Sequence, residues 1–172
     1  MRGVEQLGFC VPDLDVATEF FENVLGFDRF FDAGPFSDPS GMFMATNYNL
    51  DPRAVIKTIR LFRGPNINIE LFDCTVPGQD SEWPGLMDVG GWHLGLYVDD
   101  MDAAIEYLNA NGVRTLGGKK QLMGPEAGQD GYFCHFLTDW GFYLELITYP
   151  HGRVYEQESS PRRLWDPTRL DL

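Results

Sequence analysis

The sequence predicts an α+β protein made of two tandem βαβββ modules whose eight strands form a cupped, mixed sheet. Three observations predict it. The first is an internal repeat. Residues 6–19 and 93–106 align without a gap and share Leu7/Leu94, Gly8/Gly95, Val11/Val98, Asp13/Asp100, Asp15/Asp102, Ala17/Ala104 and Glu19/Glu106, seven identities in fourteen positions. The second is that the repeat returns near the end of each half, where Asn68-Ile69-Glu70-Leu71-Phe72 matches Tyr143-Leu144-Glu145-Leu146-Ile147. The third is the run of periodicities between these ends, which reads twice as strand, capped helix and three further strands. This divides the chain into a first module over residues 1–74, a linker over 75–90, a second module over 91–149 and a tail over 150–172.

The elements follow in order. Residues 4–11 alternate as a strand, with Gln6, Gly8 and Cys10 to one side and Leu7, Phe9 and Val11 to the other. Asp13 caps the helix that follows, Val16, Phe20, Phe21 and Val24 give it an apolar face, and Gly26 stops it. Residues 27–31 form a second strand. Residues 33–50 are rich in Gly, Pro, Ser and Asn, interrupted by Met42, Phe43 and Met44, and read as an excursion that lines a pocket or meets a partner chain. Residues 55–63 and 67–72 make a hairpin about Gly64-Pro65. In the second half, residues 92–98 form the opening strand. Asp100 caps a helix to about residue 111 with Met101, Ala104, Ile105 and Leu108 inward, and Gly112 ends it. A short strand over 113–116 and an excursion over 117–130 lead to the hairpin of 132–137 and 142–148, which turns near Asp139-Trp140-Gly141. The tail is polar, with Pro161, Arg162, Arg163, Asp166, Pro167 and Arg169. Its aromatics Tyr155 and Trp165 predict that it docks on its own domain or a partner.

Composition narrows the function. With 172 residues, 44% hydrophobic and 14% aromatic, the chain can bury a sizeable core. Its net charge of −13 disfavours nucleic acid and anionic membrane surfaces, which need basic patches. No apolar run approaches the roughly 20 residues of a membrane span. The sequence opens without the hydrophobic stretch of a signal peptide. Cys10, Cys74 and Cys134 are odd in number and widely spaced, so no disulfide framework is implied and a cytoplasmic location is expected.

Candidate chemistry lies on the first and last strands of the two modules. Each half supplies one polar residue on its opening strand, Gln6 or His93, and one glutamate on its closing strand, Glu70 or Glu145. A glutamate inside an apolar strand is costly to bury unpaired. Two at matching positions point to a positive charge between them. Three oxygen donors and one imidazole suit a divalent zinc, nickel, cobalt or manganese ion with positions open to water or substrate. The single histidine in this set argues against ferrous iron held by two histidines and a carboxylate. His135 depends on the turn beyond it. A two-residue turn near Asp139-Trp140 sends it away from Glu145 and puts Cys134 there; a three-residue turn does the reverse. His135 is read as structural, Cys10 and Cys134 as small hydrophobes, and Tyr97 and Tyr143 as either site contacts or packing. His151 is given no role.

These motifs resemble those of the vicinal oxygen chelate superfamily, which includes glyoxalase I, extradiol dioxygenases, methylmalonyl-CoA epimerase and the bleomycin and fosfomycin resistance proteins. The resemblance rests on residues 6–15, Leu25-Gly26-Phe27, Ile69-Glu70-Leu71-Phe72, residues 93–100 and residues 139–146, and covers roughly residues 4–149. It implies metal ligands at Gln6, Glu70, His93 and Glu145, a set most like that of glyoxalase I. It further implies a metal-dependent lyase or isomerase that stabilises an enediolate or enolate of a small carbonyl substrate. Glu145 would be the general base and Glu70 the second candidate. Alternatives on the same fold are an epimerase, an extradiol-type dioxygenase, or a protein that sequesters a small drug or metabolite. Glutathione as substrate would want cations near the site, for which Arg60, Arg63, Lys119 and Lys120 are the candidates. The family resemblance and the long excursions imply a homodimer.

Overall fold

The computed structural model describes residues 3–38, 40–157 and 163–168. Pro161, Arg162 and Arg169 of the tail lie outside them. The chain divides into two compact units, Met1–Ser81 and Glu82–Leu172.

In the first unit, β1 (Gln6–Cys10), β2 (Asp28–Ala33), β3 (Val55–Arg63) and β4 (Asn68–Thr75) form a four-stranded mixed sheet in the order β1-β4-β3-β2. The opening and closing strands are thus parallel neighbours, with Gln6 beside Asn68 and Gly8 beside Glu70. Helix α1 (Leu14–Glu19) is capped by Asp13, whose carboxylate accepts from the backbone N–H groups of Asp15 and Val16. It runs on into a π-helical turn over Phe20–Val24. The apolar face is in part the one the spacing predicts, with Phe20 and Phe21 buried and Val24 half-buried, but Val16 departs from it. Val16 is 49% exposed, while Ala17, Phe20 and Phe21 are buried. Phe21 packs against Phe62 and, edge-on, against Phe27. Gly26 ends the helix at φ +72°, a conformation that suits glycine.

The first excursion holds an element the sequence reading leaves out, helix α2 (Met42–Tyr48). Asp38 accepts from the N–H groups of Ser40 and Phe43 at its start, and Asn49 closes it at φ +55°. Only Met44 of its apolar residues is buried.

In the second unit, β5 (His93–Tyr97), β6 (Arg114–Thr115), β8 (Tyr132–Leu137) and β9 (Tyr143–Thr148) repeat the plan in the order β5-β9-β8-β6, and the short β7 (Lys120–Gln121) pairs with β8. β5 runs parallel to β9, with His93 beside Tyr143 and Gly95 beside Glu145. Helix α3 (Met101–Ala110) is capped by Asp100 and buries Met101 and Leu108 against the sheet, as its spacing predicts. Along β9, Leu144, Leu146 and Thr148 are buried while Tyr143, Glu145 and Ile147 are less so. One face of the sheet is core and the other carries the glutamate. At roughly 1.5–3 kcal/mol for each large apolar side chain removed from water, residues such as Phe136, Phe142, Leu144 and Leu146 define this unit's core.

Candidate functional site

Each glutamate has a glycine beside it. Gly8 lies opposite Glu70 and Gly95 opposite Glu145. A Cβ on Gly8 would come within 3.2 Å of a Glu70 carboxylate oxygen and 2.9 Å of the Phe72 ring. A Cβ on Gly95 would lie 3.7 Å from a Glu145 oxygen. The glycine thus leaves the space that Glu70 and Phe72 occupy in the first unit, while at Gly95 a Cβ would make only an ordinary contact with Glu145.

The two glutamates differ in company. Glu145 Oε2 lies 3.1 Å from His93 Nε2. Glu145 Oε1 lies 4.0 Å from His135 Nε2. The ligating atoms of His93, His135 and Glu145 all fall within 4.8 Å of one another. The two imidazole rings meet edge-to-face with centroids 5.6 Å apart. This cluster stands at a pocket of about 710 Å³ in the second unit. Its wall is largely apolar, with Leu86, Met87, Trp92, Leu122, Phe133 and Ile147, and it carries one further carboxylate, Glu126.

The structure decides the turn on which the placement of His135 depends. Thr138 and Phe142 bond to each other, Thr138 N–H to Phe142 O at 3.1 Å, leaving Asp139, Trp140 and Gly141 as a three-residue loop. The register then sets His135 directly opposite Glu145, and Cys134 turns into the core, 1% exposed. Gly141 closes the loop at φ +92°. A glycine at the third loop position is the signal that favours three residues over two. With two histidines beside one carboxylate, the argument against ferrous iron from a single histidine loses its premise.

In the first unit, Gln6 and Glu70 lie on the same sheet face, since Gly8, the partner of Glu70, follows Gln6 by two positions. Leu61 faces Glu70 from β3, where His135 faces Glu145. Burial and the negative charge of Glu5 push the Glu70 pKa up. Glu70 has no hydrogen-bond or ion-pair partner among the described residues. On the same face, Cys10 is exposed, and a hydrogen bond with the Cys74 thiol holds its pKa down at about 7.

Three of the four cations considered as anchors for an anionic substrate are engaged elsewhere. Arg60 is buried and pairs with Asp32 and Asp15, Arg63 pairs with Asp28, and Lys119 pairs with Asp102 and lies over the Tyr132 ring. Tyr97 packs edge-on against Tyr149. His151 lies 3.4 Å from Asp130 at the surface.

Residues 5–136 match the model of the Glyoxalase/Bleomycin resistance protein/Dioxygenase superfamily. The chain belongs to this superfamily. It is 39% identical over 166 residues to the 2-epi-5-epi-valiolone epimerase of an Actinomyces species, covering 95% of this chain and 88% of that one. Among solved structures it resembles the fosfomycin resistance protein FosX of Listeria monocytogenes in complex with Mn(II) and sulfate. There the TM-score is 0.59 and the identity 14%, over 91% of this chain and 98% of that one. It also resembles lactoylglutathione lyase from Agrobacterium tumefaciens, with a TM-score of 0.53 and 16% identity over 86% of this chain and 94% of that one. Both likenesses show the vicinal oxygen chelate fold. Among the described residues, no helix is long and apolar enough to cross a membrane.

Proposed function

We propose that the protein is a metal-dependent epimerase of a small, uncharged polyhydroxylated ketone. The observation that carries this reading is the 39% identity to 2-epi-5-epi-valiolone epimerase across 95% of the chain. It favours the epimerase alternative over a glyoxalase I-type lyase. The site supports it in two ways. A carboxylate lies between two imidazoles at the wall of a pocket large enough for a sugar-sized molecule. Among the described residues no lysine or arginine lines that pocket, which favours an uncharged substrate over a phosphate or the carboxylates of glutathione.

Epimerisation beside a carbonyl needs a base to take the proton from carbon and an acid to return one to the opposite face. Nothing is gained or lost overall. A divalent cation, when bound, would stabilise the negative charge that builds on the carbonyl oxygen, an effect worth several kcal/mol. The donors fit such an ion, since imidazole and carboxylate together suit zinc, nickel, cobalt, manganese and iron alike. His93 and Glu145 are its proposed ligands in the second unit, and Gln6 and Glu70 are the proposed contributors of the first. Glu145 is the proposed base, its Oε1 lying 4.0 Å from His135 Nε2 and making no hydrogen bond among the described residues; Glu70 is the second candidate. Trp92, Leu122 and Phe133 offer an apolar wall for the carbon skeleton of the substrate. A homodimer is the proposed assembly. The exposed Phe30 and Phe31 of β2 and Met42 and Phe43 of α2 support it.

The test is incubation of the metal-loaded protein with 2-epi-5-epi-valiolone in D2O, followed by NMR. An epimer carrying one deuterium at the inverted carbon is expected, and Glu145→Gln should slow its formation by about 10²–10⁴-fold. Binding of the ketone without exchange or inversion would overturn the epimerase reading and leave sequestration as the function.

A further inference from the structure

We infer that His135 is a metal ligand, and that His93, His135 and Glu145 form a primary cation site contained in the second unit. The inference rests on the metal-dependent reading above and changes its ligand set. Gln6 and Glu70 are then not what retains the ion.

Four observations converge on His135. Its Nε2 is turned toward Glu145 Oε1, 4.0 Å away, while His93 Nε2 is 3.1 Å from the other oxygen of the same carboxylate. The three ligating atoms lie within 4.8 Å of one another. Metal bonds of about 2.0–2.2 Å place ligand atoms about 3 Å apart when adjacent and about 4.3 Å apart when opposite. Small side-chain rotations therefore close the set around one ion. Second, the His135 imidazole is only 28% exposed, yet makes no hydrogen bond among the described residues. The half-buried ring therefore keeps its Nε2 available to an ion at the pocket wall. Third, the Phe133 and His93 rings pack edge-on against it at centroid distances of 5.5 and 5.6 Å, which fixes its plane. Fourth, the repeat supplies a reference. At the corresponding register position the first unit has Leu61 opposite its glutamate, so packing at this point of the fold is met by leucine. The departure to histidine occurs in the half whose glutamate already has an imidazole beside it.

Two imidazoles and one carboxylate on one side of an ion leave the remaining positions open to water and substrate oxygens. That is the donor set of a 2-His-1-carboxylate centre, which accommodates ferrous iron and equally manganese, cobalt or zinc.

The experiment is a cobalt(II) titration of the full chain, followed by visible absorption and by the ring signals of the three histidines in NMR. In the wild type the His93 and His135 signals should shift with the ion, while His151 stays in place. His135→Leu installs the residue of the first unit and should fold normally, as checked by circular dichroism. It should weaken cobalt binding by about 10-fold or more, whereas His151→Ala, at a surface histidine paired with Asp130, should change it by less than about threefold. Full retention in His135→Leu with an unshifted His135 signal in the wild type would overturn the inference and leave the epimerase reading standing. Failure of the wild type to bind any cobalt would overturn both. The wild-type ring signals decide the question even if His135→Leu does not fold.

Discussion

Glu70 and Glu145 occupy matching positions, yet their surroundings give them different acid–base character. Glu145 has an imidazole on each oxygen. Glu70 faces Leu61, and burial and the charge of Glu5 raise its pKa above the usual 4.5. The sign of the consequence follows. The folded state holds the Glu70 proton more tightly than the unfolded state, so this residue costs stability as pH rises from 4.5 through its raised folded value, and costs nothing below 4.5. In the metal-free protein, Glu70→Gln should raise the melting temperature at pH 7 and leave it unchanged at pH 4. The gain should be on the order of 0.5 kcal/mol. A gain of equal size at both pH values would mean that charge is not the cause. The roles of Gln6, Glu70, His93 and Glu145 as candidates are legible in the sequence because the repeat aligns them. His135 is not, because its side of the sheet depends on one residue of turn length at Asp139-Trp140-Gly141. The glycine that decides it is visible in the sequence, but its φ is not.

At the scale of elements, the caps and strand ends are local and therefore readable. Asp13 and Asp100 start the helices and Gly26 and Gly112 end them, while the repeat predicts that the two halves share one plan, as the matching strand orders show. The misses are tertiary. The π-helical turn over Phe20–Val24 is not signalled by the apolar spacing, and one turn earlier Ala17 rather than Val16 takes the buried place. Helix α2 is short and buries one residue, so its apolar pattern carries little helical signal. The tie among α1, β2 and β3 is equally invisible to periodicity. Arg60 donates from two nitrogens to Asp32 at 2.9 Å each, and from the third to Thr18 Oγ1 at 2.8 Å and Asp15 at 3.2 Å. The bidentate Arg60 contact holds the Asp32 pKa down. Replacing Asp32 with alanine leaves a buried guanidinium short of its main partner. Urea unfolding at pH 7 should show a loss of about 2–3 kcal/mol. A carboxylate with a lowered folded pKa stabilises above its unfolded value of 3.8 and loses that contribution as pH falls. The difference between wild type and Asp32→Ala should therefore shrink below pH 3.8.

At the scale of the molecule, the chain is one plan used twice, with the copies diverged around the two matched glutamates. Each unit has its own sheet, capped helix and core. Each keeps the glycine beside a glutamate. Only the second sets two histidines around it. This division makes the reach of the metal measurable. A ligand that binds the folded state alone stabilises it by about 2.7 kcal/mol at 100 times its dissociation constant. An ion held by His93, His135 and Glu145 alone acts on the second unit, so hydrogen exchange should slow in β5, β8 and β9 on adding the ion, with β1 and β4 unchanged. An ion also gripped by Gln6 and Glu70 would slow exchange in β1 and β4 as well, and a chelator would speed it there. Exchange measured strand by strand, with and without metal, separates the two ligand sets without any knowledge of the substrate. Slowing confined to β5, β8 and β9 would place the metal in one copy of the repeat.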